Sequence, residues 1–309
     1  MPVIAIGFFD GVHLGHQRIL KGADTAVTFR NHPLSVLNAA KAPRLIMSFE
    51  DRVAAIRACG VRDVLALDFT PELAVLSPED FLARYVWRGA APADGRDNNR
   101  GCGIPSAPTI RCGANWRFGK GGAGTPEWLR AHGVAVEVAT SVEYDGGIVS
   151  STRIRDSLVR GEIAAANAMM GRCYRLAGAV VKGKGEGRKL GYPTVNVSLS
   201  PQSPTAVSHS SSSIPPSSLL SLPLGVYQVS VGSRRAIANY GFAPTFGDQA
   251  WREPVLEIHF LDPVAASVLP EELGPLVTVD FVKFIRPERK FASLAELKAQ
   301  IAADIVGIA

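Results

Sequence analysis

Two histidines three residues apart, His13 and His16, sit in the run GFFDGVHLGHQRIL, Gly7–Leu20. An apolar stretch, Val3–Ile6, comes directly before it. A strand that hands over to a helix there would leave backbone N–H groups pointing at the turn, and such groups attract phosphate. Gly11 and Gly15 let the backbone come close, and two imidazoles add donors aimed at the same anion. That set suits nucleotidyl transfer, in which the catalytic work is largely electrostatic. Histidines in a turn with no chemistry are the plain alternative, and the flanking strand, glycines and helix weigh against it.

A second phosphate-friendly start follows at VSSTRIR, Val149–Arg155, where Ser151, Thr152, Arg153 and Arg155 place hydroxyls and cations in a first helical turn. A third lies in GAVVKGKGEGRKLGYPTVN, Gly178–Asn196. Gly183, Gly185 and Gly187 permit a loop that wraps phosphates through backbone N–H groups. It is not a Walker A loop, because no GK[ST] closes it. Thr194 and Asn196, two apart, face one side of a strand and can share a magnesium ion. In EPVLEIHFLD, Glu253–Asp262, Glu257 and His259 share a face opposite Leu256 and Ile258. A glutamate there is either solvated or put to use.

The elements that would carry these groups fall into two sets. Strands are expected at Val3–Phe8, Thr25–Phe29, Asp63–Phe69, Thr109–Gly113 and Val134–Thr140, apolar and without alternation, as in parallel strands covered on both faces. Helices begin at Ser48, Ser77-Pro78 and Thr125-Pro126, where the residue types cap helix N-termini. Alternating β and α predicts an open parallel sheet whose ligands lie at the strands' carboxyl ends. A helical stretch over Ser151–Met170 closes this half. After Gly171 the pattern turns to short β-runs: Tyr174–Val181, Thr194–Val197, Val226–Val231, Ala236–Tyr240, Val255–Phe260 and Leu276–Ile285. They predict a small antiparallel barrel, followed by a C-terminal helix capped at Ser293. The expected domains are 1–170 and 171–309. Gly89–Pro108 reads as a loop, and the Ser/Pro-rich 200–223 as a disordered insertion.

The 309 residues suffice for two cores. A net charge of +5 suits anionic small molecules, and without a basic tract it argues against nucleic acid. No apolar run reaches a membrane-spanning length, and no leader pattern opens the sequence, so a cytoplasmic protein is expected. Cys59, Cys102, Cys112 and Cys173 form no CxxC pair and read as free thiols.

GFFDGVHLGHQ together with VSSTRIR resembles the nucleotidyltransferase superfamily with HxGH and ISSTxxR motifs. Its flavin branch, the bifunctional bacterial riboflavin kinase/FMN adenylyltransferase (FAD synthetase) family, is the nearest resemblance. VTFRNHP, Val27–Pro33, is similar to that family's TFxPHP segment, with His32 open to a structural role. GANWRFGKGGAG, Gly113–Gly124, is similar to its GxDFRFGxxxxG segment. The second half resembles riboflavin kinase throughout, from Gly171–Tyr174 through Gly225-Val226-Tyr227, NYGFAPTF at Asn239–Phe246, and EIHFLD to IRPERKF at Ile285–Phe291. The resemblance implies a Rossmann-like nucleotidyltransferase domain and a barrel-shaped kinase domain. It implies phosphorylation of riboflavin to FMN, then adenylylation of FMN to FAD, with ATP and Mg2+. It implies Glu257 as catalytic base beside His13 and His16 in the other domain. Adenylyltransferase contacts are expected from Gly7, Phe9, Asp10, Gly15, Asn115, Ser151, Thr152, Arg153 and Arg155. Kinase contacts are expected from Gly178, Lys182, Gly183, Gly185, Gly187, Pro193, Thr194, Asn196 and Arg286, with Thr194 and Asn196 on the metal. Partners are nucleotides and flavins, with self-association open. Only Arg18–Ala26 separate Gln17 from Val27, a short helical crossover. A kinase with a degenerate first domain is therefore one alternative, and a non-catalytic flavin- or nucleotide-binding module is another.

Overall fold

The computed structural model describes residues 1–87, 108–183, 187, 191–199, 219–242, 254–261 and 273–308. Its contacts divide the chain into two compact units, one of Met1–Ser151 and one that starts at Thr152.

The first unit runs β1 (Val3–Ile6), α1 (Leu14–Leu20), β2 (Thr25–Phe29), α2 (Pro33–Leu37), α3 (Phe49–Ala58), β3 (Asp63–Leu67), α4 (Pro71–Ala74), α5 (Pro78–Phe81), β4 (Thr109–Gly113), α6 (Pro126–Ala131), β5 (Val136–Ala139) and a two-stranded ribbon, β6 (Glu143–Tyr144) with β7 (Gly147–Ile148). Strands β1 to β5 form one sheet in the order β3-β2-β1-β4-β5, all parallel. Alternate residues of β1 explain the missing polar alternation. Ile4 and Ile6 pack with Val27, Phe29, Ile110 and Leu129, whereas Ala5 packs with Leu20, Ala26 and Ile56 on the other face. Both faces are covered, so polar residues have no place in the strand. The short first crossover closes all the same: the seven residues of α1 suffice to bring Ile4 into register with Thr25. Ser48, Ser77 and Thr125 accept from backbone N–H groups three residues on, as their types predict. The order reverses at β1, since β2 and β4 flank it on opposite sides. The carboxyl ends of β1 and β4 therefore bound a crevice of the kind in which such sheets bind ligands.

The second unit begins with α7 (Ser151–Val159, entered from the first unit) and α8 (Ile163–Met170). The expected single helix is broken here. Gly161 adopts φ +76°, and a Cβ at that position would lie 3.0 Å from the Phe284 ring. Asn167 on α8 ties helix to barrel: its Nδ2 donates to the Phe281 carbonyl at 2.9 Å, and its Oδ1 accepts from the Tyr174 N–H at 2.7 Å. The strands are β8 (Tyr174–Val181), β9 (Val195–Ser198), β10 (Gly225–Val231), β11 (Arg234–Gly241), β12 (Val255–Phe260) and β13 (Leu276–Pro287). They close into an antiparallel barrel in the order β10-β11-β12-β9-β8-β13. Closure removes every sheet edge. Of the 200–223 stretch, 200–218 lie outside the described residues, while Leu220 and Leu222 are buried. The loop expected at 89–108 also lies outside them, except residue 108. Helix α9 (Leu294–Val306), capped by Ser293, covers Val226 and Ile237 through Ile305 and the following Ile308.

Candidate active sites

In the first unit, β1 ends at Ile6 and the chain turns sharply to reach α1. Gly7 admits the ring of Phe9, which a Cβ would meet at 2.8 Å. Phe9 and Val12 both take positive φ, +59° and +36°. A β-branched residue in that region costs free energy, and such strain persists where the surroundings over-determine it, as at functional sites. Here the surroundings are specific. Phe9 and Val12 are buried in the core. Asp10 is 2% exposed, and its two carboxylate oxygens accept from the Ile46 N–H at 3.1 and 3.2 Å. Ser151 Oγ donates to the Asp10 carbonyl at 2.8 Å. Two stretches that lie far apart in the chain, GFFDG and VSST, thus meet at one carbonyl.

His13 is the N-cap of α1. Its Nδ1 accepts from the His16 N–H at 3.3 Å, so its proton sits on Nε2, where it can be given to an anion. Gly15 makes room: a Cβ there would lie 3.2 Å from both Cε1 and Nδ1 of His13. The two imidazoles stack with centroids 3.6 Å apart, and Phe9 meets His16 edge-on at 5.4 Å. Asn115 is exposed just beyond β4, on the other side of the crevice, followed by Trp116 stacked on Phe118. Thr152, Arg153 and Arg155 follow on α7 and belong to the second unit. His32 caps α2, its Nδ1 accepting from the Leu34 N–H at 3.1 Å.

In the barrel, strand register assembles the second site. Asn196 on β9 stands opposite Glu257 on β12, and Glu257 opposite Asn239 on β11. Directly paired residues point to the same face, so three polar side chains form a row across three strands. Leu256 and Ile258 point the other way and are fully buried. Burial, and then the charge of Glu288, pushes the Glu257 carboxyl above the usual carboxylate range. Asn239 Nδ2 donates to Glu288 Oε1 at 3.2 Å.

The glycine loop lies against this row. A Cβ at Gly183 would run into the Asn196 amide, and one at Gly187 would lie 3.1 Å from Thr194 Oγ1. Pro193 and Thr194 precede β9 rather than opening it. The turn they make is pinned by His259, whose Nδ1 donates to the Pro193 carbonyl at 2.8 Å. Gly178 lets β8 cross β9 closely, since a Cβ would meet the Ser198 carbonyl at 2.5 Å. Lys182 is exposed at the end of β8, and Gly185 lies outside the described residues. Arg286 is engaged elsewhere. Its Nε and Nη2 donate to Asp304 on α9 at 2.8 to 3.2 Å.

Three residues in these surroundings carry no sequence signal of their own chemistry. Asn239 and Glu288 join the second row only through pairing and barrel closure. Arg52, buried on α3 beneath the first loop, shares a helix face with Phe49 and Ile56, and that spacing is its one visible mark.

Asn196 Oδ1 is buried and has no hydrogen-bond partner among the described residues. A bare acceptor oxygen, with the Thr194 hydroxyl nearby in the chain, is the kind of donor set a hard divalent cation takes.

A parallel-sheet unit with histidines at its switch point and a closed barrel with a raised-pKa carboxylate define, in one chain, a two-domain phosphoryl- and nucleotidyl-group transferase. A FAD synthetase family model matches residues 1–94, and a riboflavin kinase family model matches 170–308. The chain is 31% identical over 321 residues to the bifunctional riboflavin kinase/FMN adenylyltransferase of Bacillus subtilis (strain 168), covering 98% of this chain and 90% of that protein. It is 32% identical to the protein of the same name from Pseudomonas fluorescens, with the same coverage. A crystal structure described as a macrolide-efflux protein from Streptococcus pneumoniae superposes with a TM-score of 0.74 at 26% identity, covering 98% of this chain and 92% of that one. The chain belongs to the bifunctional riboflavin kinase/FMN adenylyltransferase family.

Proposed function

We propose that the barrel unit transfers the γ-phosphoryl group of ATP to riboflavin, and that the first unit transfers the adenylyl group of a second ATP to the FMN so made. The observation that carries the kinase reading is the row Asn196, Glu257, Asn239, with a half-buried carboxylate in the middle. We take the functional division to fall near residue 171; the kinase family model, which matches from residue 170, supports this, although α7 and α8 pack with the barrel.

The ribityl 5′-hydroxyl must lose a proton as it attacks the γ-phosphorus. Glu257 accepts that proton, and its raised pKa makes it a better base. ADP leaves. Gly183 and Gly187 bring the loop backbone onto Asn196 and Thr194, where N–H groups can hold the phosphates. Thr194 and Asn196 would hold a magnesium ion, which would supply neutralising charge to the phosphates.

The FMN phosphate is already anionic, so its attack on the α-phosphorus of ATP needs no base. Pyrophosphate leaves. His13 Nε2–H and the His16 ring supply donors and charge where negative charge builds up. The substrates are nucleotides and flavins, and the site of action is the cytoplasm. Among the described residues no helix is long and apolar enough to cross a membrane.

The test is chromatographic. The protein is incubated with riboflavin and magnesium-ATP, and separately with FMN and magnesium-ATP. FMN in the first tube and FAD in the second support both assignments. FMN without FAD leaves a kinase joined to an inactive first unit. Neither product from folded protein overturns the reading.

A further inference from the structure

Arg52 is 0% exposed, one of very few charged residues in the core among the described residues. Its Nη2 donates to the carbonyls of Phe29 at 2.6 Å and Arg30 at 3.1 Å, at the carboxyl end of β2. Its guanidinium lies 4.0 Å from the centroid of the Phe8 ring and 5.5 Å from that of Phe49. Phe8 in turn meets His32 edge-on, with centroids 4.7 Å apart. Arg52, Phe8 and His32 therefore make a column along the carboxyl edge of β1 and β2. Phe8 is covalently the second residue of the loop that carries His13 and His16, and its carbonyl is held by Thr28 Oγ1 at 3.0 Å.

The remaining N–H groups of Arg52, at Nε and Nη1, are buried with no hydrogen-bond partner among the described residues. Packing alone does not explain such a residue. A methionine would fill similar space without the cost of desolvating a cation. The charge persists nonetheless. Burial pulls the group's pKa down to about 10, opposed by the negative charges of Asp10 and Glu50, so it is a cation at neutral pH. In a low-dielectric surround a fixed cation acts over a longer range than at the surface. The nearest ligand crevice is the one at the end of β1.

We propose that Arg52 is a positioning residue for adenylyl transfer: its buried charge and planar face hold Phe8, and with it the histidine loop, in the geometry that receives the phosphates. The inference rests on the adenylyl-transfer reading above.

The test compares Arg52→Met and Arg52→Lys in the full chain. FAD formation from FMN and magnesium-ATP is followed as kcat and KM across pH. FMN formation from riboflavin serves as the control within the same molecule. Arg52→Met is expected to lower kcat for FAD formation on the order of 10- to 100-fold, with kinase activity unchanged. Arg52→Lys is expected to retain activity at mildly acidic pH and to lose it as pH rises, because a buried amine discharges far earlier than a guanidinium. The wild type should lack that alkaline loss. Wild-type FAD formation by a folded Arg52→Met variant overturns the inference. So does an Arg52→Lys defect that is equal at every pH, which would mean that shape and not charge matters. If Arg52→Met unfolds the first unit, the pH arm of Arg52→Lys decides. A wild-type chain that makes no FAD overturns the adenylyl-transfer reading itself.

Discussion

His13 and His16 lie face to face, 3.6 Å between ring centroids and 19° between planes. Rings so close can both face one anion, to which His13 donates through its Nε2–H. The pair is therefore a device that works as a unit. His13→Ala and His16→Ala should each lower the rate of FAD formation by roughly 10²- to 10³-fold. The double variant should be little worse than either single one, because residues that act together are not additive. Steady-state rates of FAD production measure this, with FMN production unaffected. Losses that simply multiply would show that the rings act independently.

Two glycines allow the units to be switched off separately. Gly15→Ala places a methyl 3.2 Å from the His13 ring, and Gly183→Ala drives one into the Asn196 amide. The first should impair FAD formation and spare the kinase. The second should abolish FMN formation and leave adenylylation of supplied FMN intact. Product ratios from the two substrates distinguish the cases in a single experiment.

The acid limb of the kinase reaction should lie above that of an ordinary glutamate. Glu257 must be ionised to accept a proton, and burial with Glu288 raises its pKa. Glu288→Gln removes the second cause and should move the limb to lower pH. The stability sign follows from the same shift. A raised folded pKa favours the protonated form, so this contribution is complete below the unfolded pKa and is lost as pH rises through the folded one. Glu257→Gln should thus raise the melting temperature at neutral pH while ending FMN formation. A melting temperature that falls instead would mean that ionised Glu257 is stabilised by partners.

Arg286 and Asp304 join β13 to α9, with side chains 19% and 5% exposed. Gln300 Nε2 also donates to Asp304 Oδ1, at 2.7 Å. Asp304→Ala leaves a mostly buried guanidinium without its counter-ion and should cost on the order of 3 kcal/mol. Denaturant unfolding of the barrel transition measures it. A loss confined to activity would show that this arginine serves substrate more than structure.

The strands were legible because their burial leaves a plain mark. Apolar runs such as Val3–Ile6 and Thr25–Phe29 announce cover on both faces, and the alternation around Glu257 announces cover on one. Caps at Ser48, Ser77, Thr125 and Ser293 are local and were equally readable. The break at Gly161 was less so, because its reason is the Phe284 ring, far along the chain. The same holds for Glu288, which reaches Asn239 across 49 residues, and for Arg52, whose neighbours Phe8, Phe29 and Arg30 come from other segments. The motif histidines could be found by spacing. Their stacking, the bond from the His16 N–H to His13 Nδ1 and the Ser151 contact to Asp10 required the fold.

The strand order β3-β2-β1-β4-β5 also has a consequence in time. During synthesis β1 gains β2 and β3 by the time Leu67 is made, but its other edge waits for β4, which is complete only at Gly113. At the usual pace of translation that interval is roughly 2 to 10 s. Through it the ribosome carries a half-built sheet with its most apolar strand open to any passing β-edge. The nascent chain should be most in need of a chaperone in that window, before the residues beyond β4 have emerged.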